Sequence, residues 1–169
     1  LGIRYNGSFS NGFSTTAIFG QSFHLAGQNS FAQTDISGAG ADSGLETARS
    51  DYVGATTINT GTGLSLTAAG RFDKDNFAIQ RSTIAASYST KKLTASLSHS
   101  KIKAQTGYGS TSDREEIKGA ASLKFANDWR VFGSTTYDID SSNFTKSIAG
   151  LSYEDLCYIV TGVYNHTHA

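Results

Sequence analysis

The 169 residues are enough for one domain, yet only 38% are hydrophobic, proline and methionine are absent, and 14 basic residues balance 14 acidic ones. That neutrality excludes the electrostatic footprint of a nucleic-acid binder. No apolar run reaches the roughly 18 residues of a transmembrane helix, although membrane-crossing strands alternate and need no such run. No secretory leader is expected, because the chain opens at Leu1 with neither a basic segment nor an apolar stretch.

Alternation with period two begins at once. Ile3, Tyr5, Gly7 and Phe9 alternate with Arg4, Asn6, Ser8 and Ser10, which predicts a strand over 2–10. A second strand is expected at 13–23 and a third at 48–60, separated by a long outer loop at 24–47. Leu64, Leu66, Ala68, Gly70 and Phe72 then oppose Ser65, Thr67, Ala69, Arg71 and Asp73, a strand over 64–73. The strand at 77–90 alternates less cleanly, with Arg81 among Phe77, Ile79 and Thr83. Strands at 93–104, 113–126, 129–139, 144–153 and 156–165 complete a set of about ten. Each has an apolar and a polar side, because residues i and i+2 share a face.

The connections sort by parity. Asn11-Gly12, Gly61-Thr62-Gly63, Lys91-Lys92, Asn127-Asp128 and Glu154-Asp155 read as tight hairpin turns. The connections between them (24–47, 74–76, 105–112 and 140–143) are longer or more polar. An up-and-down meander puts alternate connections on opposite rims, and outer-membrane barrels carry short periplasmic turns opposite longer outer loops. The Greek-key crossovers of a soluble sandwich would break that sorting. Strand lengths of roughly 9–14 residues also exceed the soluble mode of about 5–6. The predicted fold is therefore all-β: an antiparallel meander forming part of a transmembrane outer-membrane β-barrel.

Trp129 and Tyr137 lie on one face of one strand, roughly 20 Å apart along the membrane normal at about 3.3 Å per residue and a tilt near 40°. Paired aromatic girdles have that separation. Tyr153, Tyr158 and Tyr164 recur at comparable strand-end positions, although aromatics also favour strands generally. Leu66, Leu97, Leu123, Val131 and Tyr137 are expected to face lipid, with Leu123 near the bilayer midplane. The opposite face, with Arg4, Arg71, Lys118, Lys124 and Arg130, would line a wet lumen.

Catalytic signatures are missing: there is no Gly-x-Ser-x-Gly, His-Glu-x-x-His, phosphate loop or paired-cysteine site. Neither an enzyme nor a cofactor is expected. His166 and His168 share a predicted strand face, but two imidazoles without carboxylate or thiol support make a weak metal site. Asp113, Glu115 and Glu116 read as a solvated rim. Cys157 has no internal partner and reads either as a small apolar residue or, from its place after a tight turn, as a periplasmic-rim thiol facing the lumen in an oxidising compartment.

The stretch Asn127-Asp128-Trp129-Arg130-Val131-Phe132-Gly133-Ser134-Thr135-Thr136-Tyr137-Asp138 resembles the penultimate region of the LPS-assembly (organic-solvent-tolerance) barrel family. Ile148 to Tyr158 resembles that family's Gly-x-x-Tyr-x-x-Cys-Cys-aromatic segment, with Leu156 in place of one cysteine. Upstream, Phe19-Gly20-Gln21-Ser22-Phe23 and Ser50-Asp51-Tyr52-Val53-Gly54 are similar to the strands that flank a long outer loop. The resemblance implies a wall segment, 1–169, incomplete at both ends, of the barrel that inserts lipopolysaccharide into the outer leaflet. It further implies a plug lipoprotein inside the barrel, a periplasmic bridge protein reached through an N-terminal jellyroll, and an interdomain disulfide from Cys157. A general porin or adhesin-type surface barrel is the alternative, and a soluble β-rich binding module a third.

Overall fold

The computed structural model describes residues 1–32, 44–104, 111–126 and 128–167. Ten strands are present among them: β1 Gly2–Ser8, β2 Ser14–Phe23, β3 Arg49–Asn59, β4 Leu64–Phe72, β5 Ile79–Ser89, β6 Leu93–Ile102, β7 Arg114–Lys124, β8 Trp129–Asp138, β9 Asn143–Glu154 and β10 Ile159–Thr167. They form one sheet in the order β1 to β10, each strand antiparallel to its sequence neighbours. Among the described residues one 3-10 turn is present, at Ser30–Ala32. Local pairing of this kind follows from short connections, which let each strand return beside the one before it.

One rim carries the connections 9–13, 60–63, 90–92 and 155–158 and the described ends of 125–128; the other carries 73–78, 139–142 and the segments 24–32, 44–48, 103–104 and 111–113, the middles of the expected loops 24–47 and 105–112 lying outside the described residues. Turn chemistry explains the compact rim. Gly12, Gly61 and Gly63 take positive φ, and Asn11 Oδ1 accepts the Phe13 amide at 3.1 Å. At Lys91-Lys92 the Thr90 hydroxyl accepts the Leu93 amide at 2.9 Å, closing the turn without positive φ.

Three irregularities adjust the pattern, all near the opposite rim. Arg71 faces Arg81 while Phe72 faces Ile79, so Gln80 is an extra, bulged residue. This is why alternation over the fifth strand reads poorly: Ile79 stays with Phe72 and Arg81 joins Arg71. Thr145 is the corresponding extra residue between Lys146, opposite Thr136, and Phe144, opposite Tyr137. The third lies around Ser50, whose hydroxyl accepts the Ser22 amide at 2.8 Å.

Directly opposed residues share a face, so the register assigns every side chain to one of two surfaces. No hydrophobic side chain is buried among the described residues; only Ser50 and Arg71 are. The sheet has no core of its own, and its apolar face is open.

The last strand corrects the sequence expectation. It starts at Ile159 rather than 156, and the final turn is closed by the Asp155 amide donating to the Tyr158 carbonyl at 3.0 Å. Cys157 is therefore at the tip of a turn, beside a fully exposed Leu156, and has no strand face to point toward a lumen.

Candidate functional site

The apolar face runs the width of the sheet. Ile84, Leu97, Leu66 and the cross-strand row Leu123, Val131 and Leu151 all lie on it. Ile84 and Leu97, mid-strand, are 63% and 58% exposed, which water would not tolerate over a continuous surface. Rings gather at both ends of the field. Toward the compact rim, Trp129 meets Tyr153 edge-on at 5.0 Å, Tyr153 lies 5.9 Å from Tyr158, and Phe9 meets Phe13 at 5.4 Å. Toward the other rim, Phe19 stacks on Tyr52 at 5.7 Å, Tyr52 on Phe77 at 4.6 Å, and Tyr137 meets Phe144 at 5.1 Å. Trp129 and Tyr137 thus belong to opposite clusters. Tyr164 shares the face and stacks on His166 at 6.4 Å.

Above Ile117 this face turns charged. His99 Nε2 lies 2.8 Å and Lys101 Nζ 3.0 Å from the two oxygens of Glu115. Glu115 is thus a paired group at the edge of the apolar field rather than a freely solvated rim charge.

The opposite face is polar and cationic. Arg71, Lys118, Lys124 and Arg130 share it, as the alternation predicted, and so does Arg4. Arg81, Arg114 and Lys146 join them. Sequence reasoning missed Arg81 and Lys146 because each follows a bulge; Gln80 and Thr145 were the positions at which strict alternation had to slip.

Arg71 departs from the expected wet-lumen role. Its Nε lies 3.4 Å from Asp51 Oδ2, with both side chains about nine-tenths buried. The Asp51 amide donates to the Gly44 carbonyl at 2.9 Å, and the Lys74 amide donates to Asp51 Oδ1 at 3.2 Å. A Cβ on Gly44, which has φ +76°, would stand 2.9 Å from Asp51 Oδ2 and 3.0 Å from Arg71 Cδ. The pair fastens the returning limb of the long loop to β3, β4 and the 73–78 turn.

That turn is held by Asp73, whose Oδ1 accepts the amides of Asp75 and Asn76 at 2.9 and 3.0 Å. Those two amides hold its carboxyl below the usual aspartate range. His168 lies outside the described residues, and among the described residues no cluster of three or more His, Cys, Asp or Glu side chains could hold a metal.

A wide antiparallel meander, with connections sorted by rim, an exposed apolar face banded by aromatics and a cationic reverse face, is a strip of outer-membrane β-barrel wall. The family model for LPS transport system D (LptD) matches residues 1–129. The chain belongs to that family, a transport family rather than an enzyme family, whose members are outer-membrane proteins of Gram-negative bacteria that handle lipopolysaccharide. The match takes in the strands flanking the long loop and ends where the resembling C-terminal stretch begins. No curated protein matches the chain.

Proposed function

We propose that this chain is a length of the barrel wall through which lipopolysaccharide reaches the outer leaflet. The observation that carries the reading is the two-sided sheet: no hydrophobic side chain is buried among the described residues, yet most of the large apolar ones share one face and most cations the other. Burying that apolar face against acyl chains satisfies it at about 25 cal/mol per Å². Trp129, Tyr137, Tyr153 and Tyr158 mark its interfaces, Tyr164 lies on the same face inside β10 opposite Ala149 rather than at a strand end, and Lys118, Lys124 and Arg130 face the lumen.

In this reading 1–169 is one barrel segment, the compact rim is periplasmic, and the loop 24–47 is external. The substrate is lipopolysaccharide, the barrel holds a plug lipoprotein, and a periplasmic bridge delivers lipid through a jellyroll tied to Cys157 by a disulfide. The family match favours this over a general porin. The test is depletion of the full-length protein in its host. Surface lipopolysaccharide should fall while the lipid accumulates in the inner compartments. Unchanged surface levels would overturn the reading.

A further inference from the structure

The connections of the compact rim differ in charge. Those at 9–13 and 60–63 carry no ionisable side chain, 125–128 ends in Asp128, and 155–158 opens on Asp155 directly after Glu154. The connection 90–92 instead holds Lys91 and Lys92 side by side. Both are exposed, and neither has a carboxylate within 4.0 Å among the described residues.

The turn that carries them is fixed. The Thr90 hydroxyl accepts the amides of Lys92 and Leu93 at 3.4 and 2.9 Å, and the Thr90 amide donates to the Leu93 carbonyl at 2.7 Å. The Lys124 amide donates to the Lys92 carbonyl at 2.7 Å, which makes Lys92, Lys124 and Arg130 neighbours along one row across β6, β7 and β8. Like charges so placed repel. An ammonium on a flexible four-carbon stem relieves the repulsion by extending outward over the rim.

Hydrocarbon reaches close to this turn. Leu64 faces Tyr88 and Leu93 faces Leu123, all four on the apolar face and near the strand ends. At about 3.3 Å per residue the lysines stand roughly 3–7 Å beyond the last lipid-facing side chains. A headgroup layer is about 5–7 Å deep on each side of the hydrocarbon, so phosphates lie at the level of the two ammonium groups. Tyr88, with an apolar body and a polar tip, suits that boundary. The neighbouring turns, neutral or acidic, offer a phosphate no such charge.

We propose that Lys91 and Lys92 bind the phosphate of an anionic glycerophospholipid in the leaflet at the compact rim, with Leu64, Tyr88 and Leu93 against its acyl chains. The site is on the outside of the wall and holds a boundary lipid rather than cargo. This rests on the reading of the compact rim as periplasmic, where the leaflet opposite the one that receives lipopolysaccharide supplies glycerophospholipid.

The test uses the full-length protein in phosphatidylcholine bilayers with a trace of photoreactive phosphatidylglycerol, crosslinked peptides being mapped by mass spectrometry. Heat-modifiable gel mobility verifies folding of each variant. Crosslinks should gather on the peptide holding Tyr88 to Leu93, and added phosphatidylglycerol should displace them in a salt-dependent way. Lys91→Gln/Lys92→Gln should lower the affinity about tenfold or more, near fivefold for each lysine beside an anionic lipid surface. Lys91→Arg/Lys92→Arg should keep binding, and Lys74→Gln at the opposite rim should not change it. Equal displacement in wild type and the glutamine variant overturns the site. A bisphosphorylated lipid A that displaces the probe as well as phosphatidylglycerol overturns the choice of lipid. Thr62→Cys, on a neighbouring uncharged turn, separates the site from the reading beneath it. Labelling of that thiol on intact cells by an impermeant reagent, beyond that of the unsubstituted protein, overturns the periplasmic assignment and the proposal together. Labelling only after outer-membrane permeabilisation, with binding indifferent to the lysines, overturns the site alone.

Discussion

Arg71 Nε lies 3.4 Å from Asp51 Oδ2, and the Asp51 amide holds the carbonyl of Gly44, so one ion pair joins two strands to the end of a long loop. Asp51→Asn keeps an acceptor for the Lys74 amide but takes the carboxylate from a buried guanidinium. We expect a loss of about 2 kcal/mol in unfolding free energy. Faster proteolysis within 24–48 should accompany it. Gly44→Ala should show the same loop exposure through steric conflict. Unchanged cleavage in both variants would mean that the pair does not anchor the loop.

Depth on the apolar face sets the cost of a charge. The register puts Leu123 one residue from the end of β7, level with Val131 near the compact rim, whereas Leu97 is mid-strand opposite Gly119. This moves the midplane away from Leu123, where the sequence had placed it. Leu97→Arg should cost about 2–4 kcal/mol in refolding into bilayers, and Leu123→Arg nearer 1 kcal/mol. Ser96→Arg, on the opposite face, should cost much less than Leu97→Arg. Equal costs at positions 96 and 97 would contradict the assignment of faces.

Trp129 and Tyr153 meet edge-on at 5.0 Å across β8 and β9. A double-mutant cycle with Trp129→Phe and Tyr153→Leu should return a coupling of about 0.5–1.5 kcal/mol. Additive losses would show that the rings occupy the interface independently.

Asp73 caps its turn in the charged form, and its folded pKa lies below the ordinary value. The stabilisation is therefore complete above the unfolded pKa of about 4 and is lost as pH falls through the depressed folded value. The protection of the Asp75 and Asn76 amides against exchange, relative to their unfolded rates at the same pH, should fall on acidification below about pH 4, and Asp73→Ala should remove that pH dependence. A wild-type turn equally protected across this range would refute the capping role.

Cys157 sits exposed at a turn tip. In the full-length protein purified without reductant, we expect it to resist alkylation and Cys157→Ser to abolish a reduction-dependent gel shift. A readily alkylated thiol would return it to the status of a small surface residue.

Much of this was legible in the sequence because its determinants are local. Alternation such as Leu64 to Phe72 requires only that neighbouring side chains point oppositely, and Gly12, Gly61 and Gly63 mark turns that few other residues could make. Strand number, meander order, the rims and the shared face of Lys118, Lys124 and Arg130 all follow from that. What depends on pairing across strands did not. The bulges at Gln80 and Thr145 are set by how two strands meet, so Arg81 and Lys146 took their faces only in the sheet. The last strand starts three residues later because the closing bond of the final turn runs from Asp155 to Tyr158, which removed Cys157 from a strand. The Asp51–Arg71 pair joins residues whose mutual burial requires a loop to fold back over them. Only the tertiary structure decides that, because desolvation is a property of everything that surrounds a charge and not of its neighbours in sequence.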